Sequence, residues 1–404
     1  MLYRLEIENF QSIRDLQIID LAAAGNAPDD PLRLAPLWKG ATAVAPKVVG
    51  IFGPNASGKS NVLRALSFLA WFIRDSFQIQ PDTALPFWRF NDAESVGKPT
   101  RLAIELGGVE DIDRVEDADA SQCRYLYEVV IGGGAMKHII EREVLSFQPS
   151  RSRRAVKLFH RDAEGKVTAG KDFKLAGFRP ALEKILRPTV SVISTLARLE
   201  HPYSKAVWQV TEGVKSNILV ERSDPSDDLV ARNYLANPWH VERFNFEVQR
   251  ADIGVRNIEV RQGETGPAMF FHHEGLVGPL PPAFESNGTR QFVKVFPLVL
   301  EALARGGLAV IDELDAALHP VLLAEIVSWF HDPTRNPRNA QLWMSCQNTT
   351  LLDELSKEEV LFCEKDRHGR TSVFRLRDVK GTRRTDAFSR KYLGGVYGAL
   401  PQIG

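Results

Sequence analysis

Residues Gly53-Pro-Asn-Ala-Ser-Gly-Lys-Ser60 set two glycines, a lysine and a hydroxyl at the spacing G-x-x-x-x-G-K-[ST]. Gly53 and Gly58 let the backbone of Pro54, Asn55, Ala56 and Ser57 wrap a phosphate chain with its N–H groups turned inward. Lys59 places a positive charge at the β- and γ-phosphates, and the Ser60 hydroxyl is a ligand for Mg²⁺. Asn61 follows in the first turn of the next helix, whose positive end faces the same anion. The chemistry implied is binding of a nucleoside triphosphate, with ATP as the expected substrate and Mg²⁺ as cofactor.

A second group is Leu308-Ala-Val-Ile-Asp312-Glu313, an apolar run ending in two carboxylates. Asp312 at the end of such a strand would hold Mg²⁺ together with Ser60, or through water. Glu313 can orient and polarise the attacking water, making ATP hydrolysis the expected reaction. About 250 residues separate Ser60 from Asp312, and no Asn-Lys-x-Asp guanine motif occurs, so a compact GTPase is excluded.

The elements that must position these residues are legible around them. Val48 to Phe52 is a continuous apolar run, as in a strand buried on both faces. Val62, Leu63, Leu66, Leu69, Ala70 and Ile73 recur at helical spacing and bury one face of a helix. Leu2 to Glu8 alternates as a half-buried strand, and a loop follows at Ala24 to Pro36. Strands are expected at Leu102–Leu106, Tyr125–Ile131, Ile139–Leu145 and Val156–His160, with Gly132-Gly-Gly134 as a hairpin turn. Glu110 to Asp119 reads as a solvated acidic loop. Helices are expected through Pro180–Tyr234 and at Arg290–Ala304, and strands at Val255–Val260, Ala268–His272 and Gln341–Met344. No heptad persists, so no long coiled-coil arm is expected.

The expected fold is α/β, a P-loop head assembled from both ends of the chain around a β-rich lobe and a helical insertion. Its divisions are 1–105, with the phosphate loop; 106–180, the β-rich lobe; 181–254, the helical insertion; and 255–404, the second half of the head with a basic tail. Lys plus Arg and Asp plus Glu each number 51, so the chain as a whole is no polyanion binder. Cys123, Cys346 and Cys363 are far apart and form no C-x-x-C pair, which argues against a disulfide framework or zinc cluster. The apolar stretch Leu66–Ile73 is too short for a bilayer, and the N-terminus lacks a signal-peptide pattern. The cytoplasm is the expected address, with no membrane contact.

Both ends of the chain resemble ABC-type ATPases of the RecF and OLD kind, over roughly residues 1–105 and 268–404. Glu285-Ser-Asn-Gly-Thr-Arg290 resembles their degenerate signature segment, and Ile311-Asp-Glu-Leu-Asp-Ala-Ala-Leu-His-Pro320 their Walker B and D-loop. Asn9-Phe-Gln-Ser12 is similar to the entry of their first strand, and Lys391–Pro401 to the tail of RloA-type, restriction-linked and abortive-infection ATPases. The resemblance implies that Ser286, Asn287, Gly288 and Thr289 cap the γ-phosphate bound by another copy. It places Asp315 in the D-loop and implies a homodimer or higher homo-oligomer. On their own, Ser286-Asn287-Gly288 read as a turn and helix cap.

Two departures stand out. Gln347, in Ser345-Cys346-Gln347-Asn348, occupies the place of the family's switch histidine, and glutamine does not titrate near neutral pH, so slow turnover is expected. No Q-loop glutamine stands out. About 90 residues follow Glu313 without the clustered acids of a TOPRIM nuclease, so a separate effector protein, a nuclease or toxin, is expected in an anti-phage or restriction-linked system. The alternative is a RecF-like repair clamp that binds DNA directly. His272 and His273 read as strand residues, His319 as structural, and Arg151-Ser-Arg-Arg154 as a solvated run. The basic tail Lys365–Lys391 could meet nucleic acid or an acidic partner.

Overall fold

The computed structural model describes residues 1–401 apart from 24–28, 82, 115–116, 118, 135–136, 153, 252–253 and 265. The loop at Ala24–Pro36, the acidic run Glu110–Asp119 and the run Arg151–Arg154 therefore lie partly outside the described residues.

Two sheets organise the chain. The six-stranded sheet has the order Val214–Ser216, Leu308–Ile311, Gln341–Ser345, Val48–Phe52, Val360–Lys365, Thr371–Arg375. Its first five strands run parallel and the last turns back antiparallel. Side-chain direction alternates along a strand, so the two faces of this sheet enter two different cores. Val49, Ile51, Val310, Trp343, Leu361 and Cys363 join one apolar cluster with the helix Lys59–Asp75. Val48, Phe52, Ala309, Ile311, Leu342, Met344, Val360 and Phe362 join the other, with the helices Asn287–Arg305 and Pro320–His331. Burial on both faces is why these strands read as apolar runs rather than alternating ones.

The second sheet is antiparallel and seven-stranded, in the order Val167–Ala169, Val156–Arg161, Lys137–Gln148, Gln122–Gly134, Thr100–Val109, Leu2–Glu8, Gln17–Asp20. It differs from the expected division at residue 105. Thr100–Val109 crosses that boundary and pairs with Leu2–Glu8 on one side and Gln122–Gly134 on the other, so the N-terminal strand and the β-rich lobe share one sheet. Pairing across about 100 residues leaves no local trace in sequence. The glycines 132–134, expected as a hairpin turn, are instead the last residues of the strand Gln122–Gly134, paired with Ile139, His138 and Lys137 of the next strand.

The region expected to be helical holds helices at Arg179–Ile185, Val192–Arg198, Pro202–Glu212, Asp227–Ala236 and Pro238–Ala251. It also holds an unexpected strand, Val214–Ser216, which pairs with Leu308–Ile311 in the six-stranded sheet. Three residues are too few to show a period. Among the described residues no helix is long and apolar enough to cross a membrane. The cysteines are free and buried. The segment Lys391–Pro401 closes the second core: Tyr392 stacks on Phe362 at 5.1 Å and donates its hydroxyl to the Ala399 carbonyl at 2.8 Å.

Candidate functional site

The strand Val48–Phe52 ends directly in the phosphate loop, and the helix Lys59–Asp75 begins within it. Gly58 has φ 105°, and a Cβ there would meet Thr371 Oγ1 at 2.2 Å, so both conformation and space demand glycine. Ala56 also adopts a left-handed φ of 61°. The loop is held from outside by a relay. Thr371 Oγ1 donates to the Ser57 carbonyl at 2.8 Å, Ser12 Oγ lies 2.7 Å from Thr371 Oγ1, and Asn61 Nδ2 donates to Ser12 Oγ at 2.6 Å. Ser12 of the Asn9-Phe-Gln-Ser12 motif thereby reaches the phosphate loop. Asn9 itself ties down the segment before Thr100, accepting from the Phe90 N–H and donating to the Ser95 and Lys98 carbonyls.

Lys59 is 6 % exposed, and its Nζ donates to the Gly53 and Pro54 carbonyls at 2.8 and 2.9 Å. Burial lowers its ammonium below the usual lysine range, opposed by Asp312, Asp315 and Glu313 nearby. Asp312 is 4 % exposed at the end of the strand Leu308–Ile311. The Asn217 side chain clasps its backbone, with Nδ2 donating to Asp312 O at 3.0 Å and Oδ1 accepting the Asp312 N–H at 2.7 Å. Glu313 follows with φ 51°, a conformation that a side chain rarely adopts. Its N–H donates to Ser345 Oγ at 2.7 Å, and Arg222 pairs with its Oε2 at 2.6 Å.

One cavity of about 330 Å³ gathers Asn55 through Asn61, Arg64, Glu313, Ser345, Gln347 and Lys365. The structure thus brings the phosphate loop, Glu313 and Gln347 together from three separate stretches of chain. Asp315 is placed behind them: its Oδ2 accepts the N–H groups of Gln347 and Asn348 at 2.8 and 2.7 Å, fixing the segment that carries Gln347. Of the two residues expected to hold Mg²⁺, Ser60 lines this cavity, whereas Asp312 is not among its lining residues and reaches it through Ser345, which does line it. The Ser345 bond occupies only Oδ1 of Asp312. No group of three or more His, Cys, Asp or Glu side chains among the described residues forms a closed cage. The chemistry of a hydroxyl and a carboxylate with one oxygen left open is of the kind Mg²⁺ takes together with substrate phosphates.

Ser286, Asn287, Gly288 and Thr289 are not among the residues that line this cavity. Ser286 caps the helix Asn287–Arg305, its Oγ accepting the Thr289 N–H at 3.1 Å. Gly288 lies against the D-loop, where a Cβ would meet the Ala317 carbonyl at 2.6 Å. His319 caps the helix Pro320–His331, the structural role expected of it. His272 and His273 lie in the strand Pro267–His273, and His273 Nε2 meets Glu285 Oε1 at 2.6 Å, directly before Ser286.

Much of the basic tail is committed within the chain. Arg375 and Arg377 donate to carbonyls at Asp20–Ala22, and Arg370, Arg384 and Lys391 pair with Asp366, Glu358 and Asp386. Lys365 instead lines the phosphate cavity. Sequence reasoning did not single out Asn217, Arg222, Ser345 or Thr371 for the site. Single polar residues outside any motif carry no local signal of what they will touch.

Comparison with known proteins follows this geometry. No curated protein matches the chain. Solved structures similar to it include an SMC head bound to the C-winged helix domain of ScpA (12 % identity, TM-score 0.46, covering 92 % of this chain and 97 % of that one). The SMC head domain from Thermotoga maritima is another (13 %, TM-score 0.36, 93 % and 98 %). A third is an SMC head with an extended coiled coil bound to the C-terminal domain of ScpA, derived from Pyrococcus furiosus (12 %, TM-score 0.43, 93 % and 96 %). The fold is α/β, with the phosphate loop between the central parallel strand Val48–Phe52 and the helix Lys59–Asp75, and Asp312-Glu313 at the end of a parallel strand of the same sheet. One family model, "AAA domain, putative AbiEii toxin, Type IV TA system", matches residues 48–113 and 195–353, spanning the phosphate loop, Asp312-Glu313 and Gln347 and skipping most of the antiparallel lobe. The match covers more than half of the chain, and the chain belongs to that family.

Proposed function

We propose that this protein is an ATP-hydrolysing switch whose nucleotide site is completed by a second copy and whose state controls a separate effector, in an anti-phage or restriction-linked setting. The observation that carries the reading is the single cavity in which Lys59, Ser60, Glu313 and Gln347 converge, while the helix cap at Ser286 lies outside it. The phosphate-loop N–H groups and Lys59 hold the triphosphate. Mg²⁺, held by Ser60 and Asp312, neutralises phosphate charge when bound. Glu313 takes a proton from water as the water oxygen bonds to the γ-phosphorus. The bond to the β–γ bridging oxygen breaks, and its electron pair leaves with ADP. The Gln347 side chain can donate to a γ-phosphate oxygen.

A neighbouring cavity shares Asn61 and Arg64 and adds Ser12, Trp88 and Arg89, giving room beside the phosphate loop for ribose and base. The Ser286 cap has the chemistry to receive an anion at a helix N-terminus, and in this reading the anion is the γ-phosphate of a partner copy.

The test is to incubate the purified chain with ATP, Mg²⁺ or Mn²⁺, and plasmid, linear DNA or transfer RNA. ATP hydrolysis without nucleic-acid cleavage is the expected result. Cleavage that disappears in a point variant of this chain would overturn the effector-partner model.

A further inference from the structure

The segment between the strand Val214–Ser216 and the helix Asp227–Ala236 is tied down at both ends. At its start Asn217 clasps the Asp312 backbone, and the Ser223 N–H donates to the Asn217 carbonyl at 2.6 Å, closing a tight loop. At its end Asp224 pairs with Lys294 at 2.5 Å and Asp227 with Arg290 at 3.0 Å. Both cations sit on the helix Asn287–Arg305, the one capped by Ser286. Between these anchors Arg222 Nη1 reaches Glu313 Oε2 at 2.6 Å. The two side chains are 35 % and 41 % exposed, so the pair is screened by water and contributes little to stability. What it does supply is direction. Glu313 sits on a left-handed backbone that its surroundings must impose, and Arg222 occupies one of its two carboxylate oxygens.

We propose that Arg222 is a positioning residue for Glu313, and that segment 222–227 couples the Ser286-bearing helix to that carboxylate within one chain. The proposal rests on the nucleotide reading above and adds regulation to it. With Oε2 held by the guanidinium, Oε1 is left to receive the proton of the attacking water. The Asn217 clasp ties the start of this segment to the Asp312 backbone, next to Glu313. The Lys294 and Arg290 pairs link the Ser286-bearing helix to the segment that carries Arg222, and docking of that helix on a partner copy would act on Arg222 through this link. An ATP site in one chain would then respond to the engagement of that chain's own signature helix.

The experiment uses the full chain, with phosphate release for turnover and calorimetry for ATP affinity. Arg222→Ala should lower kcat about tenfold or more, while ATP affinity stays within about twofold. Arg222→Lys should recover part of the loss, and added guanidinium ion should raise the turnover of Arg222→Ala but not of the wild type. Combining Arg222→Ala with Glu313→Gln should give no further loss beyond Glu313→Gln alone, since Arg222 acts through that carboxylate. Replacing Asp224 and Asp227 with Asn should also lower kcat, and should add nothing in the Arg222→Ala background. Unchanged kcat in Arg222→Ala overturns the proposal, as does weakened ATP binding, which would mean direct contact with nucleotide. An added loss from the Asp224 and Asp227 changes in the Arg222→Ala background removes the coupling. A wild type that binds no ATP removes the nucleotide reading itself, a different failure from normal turnover in Arg222→Ala. If Arg222→Ala melts early, Arg222→Gln, which keeps part of the aliphatic stem and loses the charge, decides in its place, and unchanged kcat there overturns the proposal.

Discussion

The Ser345 hydroxyl donates to Asp312 Oδ1 at 2.6 Å and accepts the Glu313 N–H at 2.7 Å, so one serine joins the candidate metal ligand to the candidate water-orienting residue. It comes from the neighbouring strand Gln341–Ser345, two residues before Gln347. Ser345→Ala leaves the half-buried Glu313 N–H without its acceptor and frees an oxygen of the buried Asp312 carboxylate. It should cost about 1–3 kcal/mol of stability and reduce turnover more than it reduces ATP binding. Denaturant unfolding and phosphate release on the same preparation check both, and turnover falling only in step with binding would count against the bridge.

Lys59→Ala should abolish ATP binding while leaving the fold intact, because the lysine's protein contacts are two loop carbonyls and its burial disfavours the charge. Glu313→Gln should keep ATP binding and lose turnover. Calorimetry with equal affinity in wild type and Lys59→Ala would defeat the phosphate-loop assignment.

ATP should drive association of the Glu313→Gln protein, visible by light scattering, and Ser286→Arg should prevent it. Ser286→Ala is the milder companion. Loss of the helix cap should cost about 1 kcal/mol, measured by thermal unfolding, with association weakened rather than abolished. Association indifferent to both ATP and Ser286 would remove the shared-site model.

Gln347→Ala should lower turnover, whereas Gln347→His should preserve or raise it. Asp315→Ala should resemble Gln347→Ala, because it releases the two N–H groups that fix the Gln347 segment. Steady-state kinetics decide. Full activity in Gln347→Ala would mean that this segment does not serve the γ-phosphate.

A pH effect is expected at His273. Its Nε2 meets the Glu285 carboxylate and its Nδ1 the Gly254 carbonyl, two acceptors that call for a doubly protonated ring. The Glu285 hydrogen bond raises its pKa above the ordinary 6.5. A raised folded-state value contributes stability that is fully present below the unfolded pKa and lost as pH rises through the folded one. The difference in denaturant midpoint between wild type and His273→Gln should therefore be largest near pH 6 and smaller near pH 8.5. A difference that does not shrink with pH would show that the ring is neutral throughout.

The two strands that carry the candidate motifs were legible because each signal is local. The Gly53–Ser60 loop needs its residue types in one turn of chain, and the apolar run before Asp312-Glu313 reports a strand buried on two faces. The strand Val214–Ser216 was not legible, since three half-buried residues show no period and their pairing partner lies about 90 residues away. The segment Lys391–Pro401 stood out in the sequence, but its role in covering Phe362 with Tyr392 was not legible there.

By itself the sequence determined that a glycine-rich loop of the phosphate-binding pattern, and an aspartate with an adjacent glutamate, stand at the ends of apolar strands separated by a long insertion. The reason is that backbone conformation and burial on both strand faces restrict residue type locally. Only the tertiary structure decided which polar residues between and beyond the motifs complete the site. Thr371 and Ser12 brace the phosphate loop from opposite ends of the chain, while Ser345, Asn217 and Arg222 set the two carboxylates. Hydrogen bonds and ion pairs of this kind depend on strand order and crossover, and a single serine, asparagine or arginine in the chain carries no mark of the partner that the fold will bring to it.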